Sequence, residues 1–271
     1  MIAPTPSGTT RYPIDLIYSR NAVGKTLFAL TASAQIPAHI SAWVGLPPAG
    51  TPITTLTDVA VIGLDKDALG GLDELSVQVQ HYFDLSAVEP SKLLPELLSV
   101  LRDGIKPLIE KDGVTSVILD TLTPLNKNLA DVWVGPAADT RQGYGKVSMK
   151  YGELIGALRP LKCHVQILGH PRYSDAEDEK ARVARMLKGI PDVSFKATGD
   201  GGAALKNDAR FIFFLDREKV VPAAGKPPVE KVFLYARRAG YETKLRGGLS
   251  LPDKMDAHWA VVQSHLAGGG K

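Results

Sequence analysis

Sulfur is scarce in this chain, which has a single cysteine, Cys163, and four methionines among 271 residues. One thiol cannot close an internal disulfide, so a disulfide-stapled secreted scaffold is excluded. Cys163 and His164 stand side by side without a partner cluster, which argues against a metal site there. No apolar run approaches the roughly eighteen residues that a membrane-crossing helix needs. Residues 1–10 lack the basic start and apolar middle of a secretory signal. These absences point to a soluble, cytoplasmic protein with no membrane partner. Neither charge sign dominates: 32 basic against 29 acidic residues leave a net charge of +3. Such a balance permits a nucleic-acid partner without requiring one. There is no internal repeat, no heptad array and no Gly-x-Ser-x-Gly hydrolase elbow. The only low-complexity stretch is the glycine-rich end at 268–271, which reads as frayed.

What is present is the material of a packed α/β core, 44% hydrophobic and 23% charged. After a Pro-, Ser- and Thr-rich start (residues 1–13), residues 14–18 read as a short buried strand, 19–24 as a turn and 25–34 as a helix. Residues 35–58 hold too many prolines and glycines for a long regular element and read as an insertion or hairpin, with a possible strand at 40–44. Strands are expected at 59–64, 77–83, 114–119, 165–168, 211–215 and 232–236. Helical spacing of leucine and isoleucine runs over 91–109, with Pro107 expected to kink or end it, and again over 146–161. Strands alternating with helices predict a mostly parallel central sheet flanked by helices, with antiparallel strands toward the C-terminus. The core is expected over 14–252, and 253–271 reads as a tail.

Chemistry concentrates first at Ser19-Arg20-Asn21-Ala22-Val23-Gly24-Lys25-Thr26, followed by Leu27. A loop between a buried strand and a helix wraps phosphates because its backbone N–H groups converge and a lysine reaches the outer phosphates. Lys25 is the candidate for the β- and γ-phosphates of ATP, and the Thr26 hydroxyl for magnesium. The first glycine of the usual pattern is replaced by Ser19, whose backbone is more restricted. A second element is required: a carboxylate ending another buried strand, close to the threonine. Val117-Ile118-Leu119-Asp120 supplies it, followed by Thr121.

In order along the chain these motifs resemble the RecA-like P-loop ATPases, in particular the core-only RecA-like and AAA-domain nucleotide-binding proteins of bacteriophages. The resemblance runs over about residues 14–248. It implies that Asp65, ending Val61-Ile62-Gly63-Leu64-Asp65, positions the attacking water, with Asp67 as the alternative. His170, ending Gln166-Ile167-Leu168-Gly169-His170, stands where the family senses the γ-phosphate. Residues 197–206, followed by Ala209-Arg210-Phe211-Ile212, resemble the end of the second DNA-binding loop and the helix and strand after it. Lys244-Leu245-Arg246 resembles the basic pair that reaches a neighbouring subunit's ATP, which implies a homo-oligomeric ring or filament.

By the same resemblance, residues 126–145 and 171–202 stand where the family carries its DNA-binding loops. The first holds Trp133, Arg141 and Tyr144; the second holds Arg182, Arg185, Lys188 and Lys196. Basic groups on phosphates and rings on unpaired bases suit single-stranded DNA, although Asp175, Glu177, Asp178 and Glu179 dilute the charge. The expectation is a magnesium-dependent ATPase handling DNA in recombination or single-strand annealing, in a bacterial host's cytoplasm if phage-encoded. Two alternatives are a nucleotide-dependent scaffold with weak turnover and a small-molecule P-loop kinase.

Overall fold

The structure, a computed structural model, describes residues 12–20, 23–37, 40, 47, 50–66, 68–70, 72–137, 139–173, 193–197, 199–221, 226–246 and 249–268. Strand β1 (Ile14–Tyr18) is buried at every position, because it lies inside a parallel sheet covered on both faces. The chain continues through α1 (Lys25–Leu30), β2 (Thr54–Gly63) and β3 (Val77–Asp84). A helical run follows as α2 (Leu93–Ser99), a π-helical segment (Val100–Ile105) and α3 (Lys106–Lys111). Then come β4 (Ser116–Asp120), α4 (Leu122–Trp133), α5 (Thr140–Leu158) and β5 (His164–Gly169). Two short strands, β6 (Pro171–Tyr173) and β7 (Val193–Phe195), pair with each other apart from the main sheet. Last are α6 (Gly199–Asp208), β8 (Phe211–Val220), β9 (Val229–Tyr235), β10 (Lys244–Leu245), β11 (Lys254–Asp256) and α7 (Trp259–Gly268).

The main sheet has nine strands in the order β11-β9-β8-β1-β5-β4-β2-β3, with β10 beside β8. From β8 to β3 every pairing is parallel; β9, β10 and β11 are antiparallel, as the sequence led one to expect. One face packs on α2, α4, α5 and α6 through Leu97, Leu125, Tyr151, Leu154 and Leu205. The other packs on α1 and α7 through Phe28 and Trp259. β1 leads into α1 on one face and β4 into α4 on the other, and the carboxyl ends of the strands between are the usual ligand position in open α/β sheets. No helix among the described residues is long and apolar enough to cross a membrane.

Three expectations are corrected. Residues 253–268 are not a tail: Met255 and Trp259 are buried, and β11 closes one edge of the sheet. Residues 126–145 are not an extended loop, since α4 runs on to Trp133 and α5 begins at Thr140. Gly143 permits this tight junction, because a Cβ there would come 2.6 Å from the Trp133 carbonyl oxygen. Of residues 35–58, positions 54–58 belong to β2, and most of 38–49 lie outside the described residues. Near Pro107 the regular α-helix is interrupted, and the helical run goes on to Lys111. The residues before the proline adopt π geometry, which accommodates the ring and the missing N–H.

Buried polar groups pin the layers together. Asp15 accepts hydrogen bonds from Arg210 Nη2 at 2.6 Å and from the Phe211 amide at 3.2 Å, and it lies 2.8 Å from His164 Nε2. Gln166 donates to Ala29 O at 2.9 Å and accepts from Trp259 Nε1 at 2.6 Å, tying both helices of one face to β5.

Candidate functional site

At the start of the loop after β1, Ser19 stands in place of the missing glycine. Among the described residues only Ser76 is a non-glycine with positive φ, so Ser19 has an ordinary backbone, while Gly24 at φ 95° makes the left-handed turn into α1. Ser19 is fully buried, donates its hydroxyl to Arg20 O at 2.8 Å, and bonds its amide to Gly169 O of β5. Asn21 and Ala22 lie outside the described residues.

Lys25 is only 7% exposed, and its ammonium folds back toward Arg20 O (3.2 Å) and Ser19 O (3.5 Å). Burial holds its pKa below the usual lysine value, against the pull of Asp120 and Asp65. The Thr26 hydroxyl donates to Asp120 Oδ2. Asp120 ends β4 and is 3% exposed; burial pushes it up to about 6, opposed by the Thr26 bond and Lys25. Its carbonyl accepts from the Leu64 amide at 2.7 Å, so the β2–β4 pairing carries on one step and sets exposed Asp65 beyond Asp120. His170 follows β5, its amide bonded to Thr123 Oγ1 at 3.2 Å. Burial, then Lys25, lowers its pKa and leaves a neutral imidazole at neutral pH. The Thr121 hydroxyl is buried with no hydrogen-bond partner among the described residues.

These side chains converge because β5 is inserted between β1 and β4. The Lys25 loop, His170 and Asp120 thereby emerge from three neighbouring strand ends, with Asp65 on the fourth. They line one open cleft of about 750 Å³, together with Val23, Gly24, Thr26, Leu27 and Thr121. Sequence reasoning missed its remaining wall: Ala68, Gly70, Leu72 and Leu75 after Asp65, and Arg217, Glu230 and Val232 from β8 and β9. One signal was readable. Phe211, Phe213 and Leu215 share the core face of β8, and the next residue on that face is the charged Arg217.

Chemically the cleft pairs one lysine with two hard oxygen donors, from Thr26 and Asp120. No group of three or more His, Cys, Asp or Glu among the described residues could hold a metal alone. Magnesium suits such a place, since it binds through one or two protein oxygens and completes its shell with phosphates and water.

Other expected residues lie elsewhere. Lys244 donates to Lys206 O (2.7 Å) and Asn207 O (2.9 Å), and Arg246 donates to Asp208 O at 3.4 Å. Both thus bond carbonyls at the end of α6. β10 pairs with the first residues of β8, at the end of the sheet opposite the cleft. Trp133 is partly buried against the core with Lys146 Nζ 5.3 Å from its ring centroid. Arg141 and Tyr144 are exposed on the first turns of α5. Exposed Lys196 adjoins the cleft, its amide donating to His170 O at 3.1 Å and its carbonyl accepting from Asn126 Nδ2. Arg182, Arg185, Lys188 and Asp67 lie outside the described residues. No protein-family model matches the chain, and no curated protein matches it either.

Proposed function

We propose that this protein is a RecA-like P-loop ATPase that binds ATP with magnesium and hydrolyses it. The observation that carries the reading is the meeting of Lys25, Thr26 and Asp120 from two distant parts of the sequence, with the Thr26 hydroxyl on the Asp120 carboxylate. In this reading the Lys25 ammonium leaves the loop carbonyls for the β- and γ-phosphate oxygens. Thr26 and Asp120 would hold the magnesium, which supplies charge neutralisation on the phosphates. Asp65 accepts a proton from, and orients, the water that attacks the γ-phosphorus, and neutral His170 donates a hydrogen bond to a γ-phosphate oxygen. The 750 Å³ cleft has room for a nucleotide.

Coupling to single-stranded DNA extends the proposal. It is supported by the bonds of Lys196 to His170 and Asn126, which join a basic residue of the second candidate segment to the γ-phosphate end of the cleft. Lys244 and Arg246 stay out of the chain's own cleft, which leaves action on a neighbouring copy as their proposed role.

Calorimetry with magnesium-ATP on the wild type and on Lys25→Ala tests the core of this reading. Losing charge-assisted bonds to phosphate is expected to weaken binding by about 10- to 100-fold, with the fold kept. Unchanged affinity in a folded variant overturns it. Steady-state hydrolysis with and without single-stranded DNA separates the readings: stimulation supports the DNA-coupled ATPase, and tight binding without turnover supports a nucleotide-dependent scaffold.

A further inference from the structure

The cleft has a second end whose chemistry differs from the first. Asp65, Asp120 and His170 rise from β2, β4 and β5, all on one side of β1; β8 and β9 lie on the other. β1 pairs with β8 only as far as Tyr18 and Phe214. Beyond that point β8 continues through residues 215–220, paired with β9 from Leu215↔Leu234 to Val220↔Val229. The two strands therefore project past the end of β1 as a ribbon. Their alternation places Arg217 on the α1 face after Phe213 and Leu215, and Glu230 on that face beyond Leu234 and Val232. Arg217, Glu230 and Val232 all line the cleft, as do Val23 and Leu27 of the loop and helix. Arg217 Nη1 donates to Glu230 Oε2 at 3.1 Å, and the other Glu230 oxygen accepts no hydrogen bond among the described residues.

We infer that this ribbon reads the nucleobase, Glu230 accepting a hydrogen bond from the exocyclic 6-amino group of adenine while Arg217 holds the carboxylate in place. The inference rests on the triphosphate reading of Lys25 and Thr26. With the outer phosphates at Lys25 and the acidic groups at the β4 side, the nucleoside leaves the loop toward β8 and β9. There Val23, Leu27 and Val232 offer apolar surface to a ring, and Glu230 offers an acceptor. An ionised carboxylate only accepts. It is matched by the adenine amino group and opposed by the 6-oxo group of hypoxanthine or guanine, which is itself an acceptor. A site that pairs a polar group of its ligand rejects the analogue lacking it, because its own group is left unpaired.

The test is competition binding of magnesium-ATP, magnesium-ITP and magnesium-GTP, with inorganic tripolyphosphate as a base-free probe of the loop. Wild type is expected to favour ATP over ITP by about tenfold, the discrimination of one hydrogen bond to a charged group. Glu230→Gln is expected to bring the ATP-to-ITP ratio to unity or invert it, since an amide can donate to the 6-oxo group. Glu230→Ala should also remove the preference. Glu230 is exposed, and circular dichroism verifies folding of each variant. A ratio unchanged by either substitution, or a wild type preferring ITP or GTP, overturns the assignment of the base site while the loop reading stands. A folded wild type that binds neither ATP nor tripolyphosphate overturns the loop reading, and this inference with it.

Discussion

At the scale of single residues, burial and hydrogen bonding divide the charged groups into those poised for chemistry and those that hold the fold. In the proposed mechanism Asp65 belongs to the first kind. It is exposed, one step beyond the β2–β4 pairing, and takes part in no salt bridge among the described residues. If it orients the attacking water, Asp65→Asn lowers kcat by about 100-fold or more and leaves the ATP dissociation constant within about twofold, since proton acceptance acts only in the transition state. Single-turnover hydrolysis set beside calorimetry decides this; equal turnover removes Asp65 from the mechanism. His164 belongs to the second kind. Burial holds its pKa below the ordinary histidine value, against the opposing pull of Asp15. Burial by itself would raise the Asp15 carboxyl, but Arg210 and His164 together hold it below the usual range. A histidine kept neutral when folded and protonated when unfolded makes the unfolded state bind more protons. Stability is therefore full above an unfolded pKa of about 6.5 and declines as pH falls below it, by up to about 1.4 kcal/mol per pH unit for one group. His170 and His258 are lowered too and add to the slope. Urea unfolding of wild type and His164→Gln between pH 5 and 8 is expected to show a shallower decline in the variant, and parallel profiles would refute the assignment.

Among the elements, α7 matters more than its place at the chain's end suggests. Trp259 is 1% exposed, stacks on Phe28 with centroids 5.3 Å apart, and donates to Gln166 inside the sheet. Through Gln166 the same contact reaches Ala29 O of α1, the helix that carries Lys25 and Thr26. Trp259→Ala removes a large core side chain and leaves Gln166 Oε1 without its donor, which is expected to cost about 3–5 kcal/mol. Equilibrium denaturation measures it, and a loss below about 1 kcal/mol would mean that α7 is not part of the cooperative core. The projecting end of β8 and β9 shows a different use of an element. There the strand alternation continues past the apolar core and presents Arg217 and Glu230 to the cleft.

On the scale of the whole molecule, the sheet order decides where function can sit. Inserting β5 between β1 and β4 spaces the lysine loop from Asp120 and sets His170 between them. Lys244 and Arg246 are held at the other end of the sheet by carbonyls of α6, so any contribution they make to catalysis must be to another copy. In an assembly with nucleotide sites between copies, Arg246→Ala is expected to lose hydrolysis by about 100-fold or more while keeping ATP binding. Mixing Arg246→Ala with Lys25→Ala is then expected to restore part of the activity at junctions that combine an intact loop with an intact arginine. Turnover in titrated mixtures, with light scattering for size, reads this out. Full activity of Arg246→Ala, or a strictly monomeric protein in ATP and single-stranded DNA, would exclude the arrangement.

Local structure was legible in the sequence. The buried strand before Ser19, the Gly24-Lys25-Thr26 turn, the apolar run ending in Asp120 and the alternation of strands and helices are short-range patterns, and residues a few positions apart set them. The parallel sheet with antiparallel C-terminal strands followed from the same periodicities. The tertiary structure alone decided which of these pieces meet. Strand order depends on pairings between residues far apart in sequence, so the insertion of β5, and with it the juncture of Thr26, Asp120 and His170, has no local signature. Whether serine suits position 19 depends on its own backbone angles, and the left-handed position falls at Gly24 instead. Residues 253–268 were misread for a similar reason: Met255 and Trp259 are too few to make a periodic pattern, and their burial comes from β9, Phe28 and Gln166, which the fold brings to them. Arg217 and Glu230 reach the cleft only because the strands that bear them run past the end of β1.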